Sequence, residues 1–194
     1  TDMTAGNGKR IAVTTESIIN LLGVVYVHTD MGEDGDLYLT GHGLQNADLL
    51  DIGNWYERSW FEANRFRLTG TSAVYRVPTK EVDGRRLNLV VKNNRVGEDV
   101  PLNTHTLAEF INAEFNSPWE EFALTTELRE SRFGPRDIRI RTQDPLAIYV
   151  PSEELQLWQT GRSRERINKI TRRHPNINVD ILRQYKRVYK WIDG

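Results

Sequence analysis

Several short constellations in this 194-residue chain carry residue types that could do chemistry. Thr69, Gly70, Thr71 and Ser72 sit where one β-rich run, begun at Arg65, gives way to the next, from Ala73 to Val77. Small hydroxyls and backbone amides in such a loop can hydrogen-bond a phosphate, and the same letters also make a plain hairpin turn. Lys92 closes the apolar run Leu89-Val90-Val91, where a lysine ordinarily leaves a strand toward water. Asp30, Glu33, Asp34 and Asp36 crowd one turn. Their spacing fails the D-x-[DN]-x-[DN]-G calcium loop and no glutamate stands at its last position, so a solvated hairpin turn is the expectation. His28 and His42 flank that turn without a third matched ligand for zinc. Serine, histidine and aspartate are all present, but no G-x-S-x-G setting supports a hydrolase triad.

The charge asymmetry of the chain lies near its C-terminal end. Arg162, Arg164, Arg166, Lys169, Arg172, Arg173, Arg183, Lys186, Arg187 and Lys190 face Glu165 and Asp180 as counter-charges. Such a patch could engage phosphate-rich partners, with Tyr185, Tyr189 and Trp191 offering stacking. Tyr185, Val188 and Trp191 recur at helical spacing and point to a core face instead. Solvated helix faces, or pairing with an acidic domain, are therefore expected over nucleic-acid binding.

Composition bounds the rest. Lys and Arg number 26 against 27 Asp and Glu, so no global field favours nucleic acid or an anionic membrane. There is no cysteine, which excludes disulfides, thiolate metal sites and cysteine nucleophiles. No run of about 18 apolar residues occurs, and no basic-then-apolar leader opens the chain. The expectation is a cytoplasmic protein without membrane partners, holding one core with an N-terminal extension.

The elements that must position these residues follow from periodicity and turn chemistry. A short helix is expected over 14–23, ended by Gly23, followed by a hairpin of residues 24–28 and 36–40. Residues 41–54 suggest one amphipathic turn or loop, and 55–64 fit helix or strand. An antiparallel meander is expected from 65–69, 73–77 and 87–92, its last connection carrying Asp83-Gly84. A helix over 104–115 should follow. A second begins at Ser117-Pro118-Trp119-Glu120, a serine cap with proline at the first helical position, and ends near 132–135 with Phe122, Leu124 and Leu128 inward. Strands over 138–141 and 146–150 would complete a sheet of about five strands. After Pro151, helices are expected over 153–158, 164–172 and 179–191.

The order of three strands, helix, two strands and a helical segment resembles a protein-kinase small lobe with its hinge and first large-lobe helices. T-G-T-S-A-V-Y-R-V from Thr69 resembles the phosphate-covering loop and its strand, and Leu89-Val90-Val91-Lys92 resembles V-A-I-K. The fold class implied is α+β: an antiparallel small-lobe-like sheet with a packed helix over 65–151, an α/β extension over 1–64, and a helical hinge and large-lobe start over 152–194. The resemblance implies ATP with magnesium as ligand, contacted by Thr69, Gly70, Thr71 and Ser72. Lys92 would pair with the α- and β-phosphates and with a helix glutamate. Glu121 is the preferred partner, Glu120 being the cap-box residue and Glu127 a second candidate. Tyr149, in Ile148-Tyr149-Val150-Pro151, takes the hinge position whose backbone would hold adenine. His174-Pro175-Asn176-Ile177 is similar to a phrase before the fourth strand of many kinases, but it lies too late in the chain and reads as a loop.

Two departures limit what the resemblance implies. With Val74 at the valine of G-x-G-x-x-G-x-V, the glycine positions fall on Arg67, Thr69 and Ser72, and Gly70 is one residue out of register. No H-R-D-x-x-x-x-N or D-F-G segment occurs; Pro135-Arg136-Asp137 and Gln143-Asp144-Pro145 stand where no catalytic loop belongs. The expectation is the N-terminal part of a kinase-like protein, nucleotide-binding but not catalytically complete. The closing K-W-I-D-G favours a cut chain, with the missing C-terminal lobe or another protein as partner. The alternative is a non-catalytic module that binds a protein or polyanion through its basic C-terminal helices.

Overall fold

The computed structural model describes residues 15–69, 73–93, 118–130, 141–152 and 186–192. They form an α+β fold around one antiparallel sheet in the order β1-β2-β3-β7-β8-β6-β5-β4. The strands are β1 (Thr15–Leu21), β2 (Val24–Asp30), β3 (Asp36–Leu39), β4 (Phe66–Arg67), β5 (Val74–Pro78), β6 (Asn88–Asn93), β7 (Pro145–Val150) and β8 (Lys186–Lys190). Helices α1 (Gly41–Leu44), α2 (Ile52–Trp55) and α3 (Arg58–Asn64) lie between β3 and β4, and α4 (Pro118–Arg129) lies between β6 and β7.

Eight strands in this sheet correct the expectation of about five. The hairpin of the first 64 residues does not stand apart: β3 pairs with β7, so β1, β2 and β3 extend the same sheet as the meander. The helix expected over 14–23 is strand β1. Ile18, Ile19, Leu21 and Leu22 suit a helical stripe, but Leu21 stands directly opposite Val24 across a two-residue turn. Leu22 and Gly23 both take positive φ, 52° and 83°, the backbone that matches the twist of a tight hairpin. Leucine is an uncommon residue there, so the turn left no letter signature.

The helix expected over 179–191 is also corrected, since residues 186–190 form β8 between β6 and β7. In K-R-V-Y-K, the valine and tyrosine suit a pleated surface better than a helix. Alternation then sends Lys186 and Val188 to one face of the sheet and Arg187 and Tyr189 to the other. The helices expected over 104–115, 153–158 and 164–172, residues 138–140 of the strand expected over 138–141, and the His174 phrase lie outside the described residues. Arg141 has no regular structure.

Each face of the sheet has its own core. On one, Leu37, Leu39, Tyr75, Val77, Leu89, Val91 and Val188 pack beneath Trp55, Tyr56 and Phe61. On the other, Val24, Tyr26, Val90, Ile148, Val150 and Tyr189 meet Phe122 and Ala123 of α4. Full burial of each large apolar side chain contributes roughly 1.5–3 kcal/mol. Only Phe122 of the three residues expected inward on α4 is buried; Leu124 and Leu128 are 52% and 45% exposed. Residues two apart on a helix lie on nearly opposite sides, so Phe122 and Leu124 cannot share a face. Pro118, Trp119, Phe122 and Ala123 do share one, and they meet the sheet.

Thr40 closes the end of β3. Its hydroxyl accepts from the Gly43 N–H at 3.1 Å, capping α1, and donates to the Pro145 carbonyl at 2.6 Å. Gly43 lies so close to β7 that an added Cβ would fall 2.1 Å from the Leu146 carbonyl oxygen, whereas nothing lies within 4 Å of one at Gly41. Gly43→Ala should therefore destabilise by roughly 1–3 kcal/mol, while Gly41→Ala should change stability by no more than about 0.5 kcal/mol. Urea denaturation of the two variants checks the contrast.

Candidate functional site

The register of β6 and β8 creates an electrostatic problem. Lys92 stands directly opposite Arg187, and Val90 opposite Tyr189. Like charges facing each other across an antiparallel pair are destabilising; about 5 Å apart, they repel by roughly 3 kcal/mol at an effective dielectric near 20. Both side chains point to the face covered by α4, so neither can turn fully to water.

Glu121 resolves it. From the first turn of α4 its Oε1 accepts from Lys92 Nζ at 2.7 Å and from the Tyr189 hydroxyl at 2.6 Å. Its Oε2 accepts from Arg187 Nη1. Arg187 Nη2 also donates to the Asn93 carbonyl at 3.4 Å. The side chains of Lys92, Glu121 and Arg187 are 30%, 24% and 6% exposed, so the carboxylate works in a partly dry setting where charge-assisted bonds are strong. The Lys92 ammonium lies 5.6 Å from the centre of the Tyr189 ring, adding a cation–π contact.

Two buried phenols border the cluster. Burial raises the Tyr189 hydroxyl above its ordinary range, with the Arg187 charge and the Thr125 hydroxyl pulling it partly back and Tyr26 adding to the rise. It therefore stays protonated and donates to Glu121. Burial raises the Tyr26 hydroxyl as well, but that group has no hydrogen-bond partner among the described residues. Thr125, one turn beyond Glu121, donates to the Glu121 carbonyl at 2.7 Å and fixes the local helix.

The structure thus brings Lys92 and Glu121 together. Tyr149 is not with them: it faces the opposite core, where its hydroxyl donates to the Asp34 carbonyl at 2.7 Å. Its backbone runs between Leu37 of β3 and Lys186 of β8, inside the sheet. Thr69 is exposed just past β4, and Gly70, Thr71 and Ser72 lie outside the described residues. Glu120 and Glu127 are on α4 and partly buried.

The helix expected over 179–191 hides Arg187 and Tyr189, because helical spacing sends residues two apart to different sides. The signal was available: arginine and tyrosine two apart in a short β-forming run belong to one face of a strand. The same strand removes two cations from the expected basic face. Lys186 has no exposed surface and lies 5.9 Å from the Tyr56 ring centre, and Arg187 is buried with Glu121. His28 does not meet His42; its Nε2 is 2.7 Å from Asp36 Oδ1. No metal-holding cluster occurs among the described residues. The acidic turn closes on itself, with Asp30 accepting from the Gly32 N–H at 2.8 Å.

No protein-family model matches the chain, and neither does any curated protein or solved structure.

Removing the carboxylate should leave two opposed cations against the sheet. Glu121→Ala is expected to cost roughly 3–5 kcal/mol, and Lys92→Met, which removes one of the opposed charges, clearly less; chemical denaturation ranks them. The two phenols should respond with opposite signs. Tyr189→Phe should cost roughly 1.5–3 kcal/mol through the lost bond to a charged acceptor, while Tyr26→Phe should be neutral or stabilising. Both phenols are raised in the folded state, so the unfolded chain ionises first. Stability should accordingly be fully present below about pH 10 and fall as pH rises beyond it, less steeply in each Phe variant.

Proposed function

We propose that this chain forms the nucleotide-facing half of a protein-kinase-like protein, with Lys92 as phosphate ligand and Glu121 as the residue that holds it. The observation that carries this reading is the Lys92–Glu121 ion pair at 2.7 Å, between the last strand of a meander and the next described helix. The order of the described elements, β4, β5, β6, α4, β7, β8, supports it. In the family resembled, a strand lysine paired with a helix glutamate is the arrangement that holds α- and β-phosphates.

ATP with magnesium is the ligand this reading implies, supplying a transferable phosphoryl group when bound. Lys92 would meet its phosphates, Glu121 would restrain the ammonium, and Arg187 would hold the carboxylate from its other oxygen. In this reading the adenine-facing position would lie after β8, the next described strand beyond β7, rather than at Tyr149. Arg76, whose guanidinium lies 5.5 Å from the Trp191 ring centre, would support that end. The sequence holds no H-R-D or D-F-G segment, so the proposed role is binding, with transfer chemistry outside its own residues. Of the basic C-terminal residues that a polyanion would meet, Lys186 and Arg187 are buried and Lys190 is exposed, and those from Arg162 to Arg183 lie outside the described residues.

Thermal denaturation with and without millimolar ATP and magnesium tests this. At a ligand concentration 100 times Kd, stabilisation is about 2.7 kcal/mol, which raises Tm by several degrees in a chain of this size. The shift should vanish in Lys92→Met and shrink in Glu121→Gln. An absent shift, or one of equal size in Lys92→Met, overturns the proposal.

A further inference from the structure

At the other end of the same sheet face, strand register assembles three side chains that no sequence motif joins. Ser17 of β1 stands directly opposite His28 of β2, and His28 directly opposite Tyr38 of β3. Asp36, two residues before Tyr38, projects from the same face. His28 Nε2 is 2.7 Å from Asp36 Oδ1, and His28 Nδ1 is 3.4 Å from Ser17 Oγ. A carboxylate only accepts, so Nε2 carries the ring proton and Nδ1 is left as the acceptor for the Ser17 hydroxyl. The imidazole stacks on Tyr38 with centroids 4.4 Å apart and planes 15° apart. Tyr38 in turn meets the Trp119 ring edge-on at 4.8 Å, which limits ring rotation. His28 and Asp36 are partly buried, whereas Ser17 is exposed.

We propose that Ser17, His28 and Asp36 act as nucleophile, general base and positioning residue for acyl transfer from small activated esters. His28 Nδ1 takes the hydroxyl proton as Ser17 Oγ bonds to the acyl carbon. The bond from that carbon to the leaving oxygen breaks, and the leaving oxygen takes the proton from His28. Water then repeats the sequence on the acyl-serine, releasing the acid and restoring Ser17. Asp36 holds the tautomer that makes Nδ1 basic.

The hairpin also offers a donor for the developing oxyanion. In a two-residue hairpin the pair beside the loop, Leu21 and Val24, is hydrogen-bonded, and alternation makes Ser17–His28 a hydrogen-bonded pair too. The N–H of Ile18 then faces the outer edge of β1, where no strand pairs among the described residues. It belongs to the residue after the nucleophile, the position that supplies an oxyanion donor in nucleophile-elbow sites. Because Ser17 is exposed on an outer strand, the small activated esters it takes should show little acyl selectivity.

The full chain should be treated with a fluorophosphonate probe, and separately with p-nitrophenyl acetate. The expected result is one phosphonyl group per chain, mapped to Ser17 by peptide mass spectrometry, and an acetate burst lost in Ser17→Ala. His28→Gln should slow labelling roughly 100-fold or more. Asp36→Asn, which preserves shape but lets the other tautomer form, should slow it at unchanged Tm. Ser17 is exposed, so Ser17→Ala should keep the parent Tm, measured alongside. An unmodified Ser17, or labelling at the parent rate in a folded Asp36→Asn, overturns the proposal; the Lys92 experiment reads out independently.

Discussion

The structure depends on one carboxylate placed between two cations. Glu121 is separated from Lys92 by 29 residues and from Arg187 by 66, yet its two oxygens serve both. Burying a charge costs several kcal/mol unless bonds replace its hydration. Here Lys92, Arg187 and Tyr189 replace much of it. Without the carboxylate, β6 and β8 could still share backbone hydrogen bonds, but their side chains would oppose the pairing. The ion cluster therefore fixes which strand lies beside β6 and which part of α4 lies above them.

That role accounts for the asymmetry of the two sheet faces. The face beneath α1, α2 and α3 is closed largely by aromatic and aliphatic packing, with Trp55, Tyr56 and Tyr149 meeting at ring distances of 5.2 to 5.9 Å. Packing of that kind tolerates small displacements. The α4 face combines an apolar centre with a directional polar site, and directional bonds do not. Adjacent residues of β8 divide between the two: Lys186 lies against Tyr56, and Arg187 reaches Glu121.

The meander, the strand at Pro145–Val150 and the helix at Pro118 were legible because their signals were local. Proline at the first helical position, alternation and turn letters each act over a few residues. The pairing of Lys92 with Glu121 was legible through resemblance, which supplied a long-range relation that spacing alone could not. β1 was not legible, because its turn uses Leu22 in a backbone conformation usually given to glycine or asparagine. β8 was hidden differently. Its central place depends on partners far along the chain, and its lysine and arginine resembled a solvated helix until β6 and β7 enclosed them. The Ser17–His28–Asp36 contact had no motif because its geometry comes from register across three strands.

The two polar constellations are joined through α4. Trp119 and Glu121 are two residues apart and leave the helix in different directions. Trp119 reaches toward β2 and β3, meeting Tyr26 at 5.3 Å and Tyr38 at 4.8 Å, while Glu121 reaches toward β6 and β8. Phe122 fills the space between, 5.1 Å from the Tyr189 ring. A rotation of α4 that improved the aromatic contacts would pull the carboxylate from its donors. A rotation in the other direction would lift Trp119 from the ring that stacks on His28. The helix position is thus set by two unlike interactions, one governed by shape and one by charge, and each limits the error of the other.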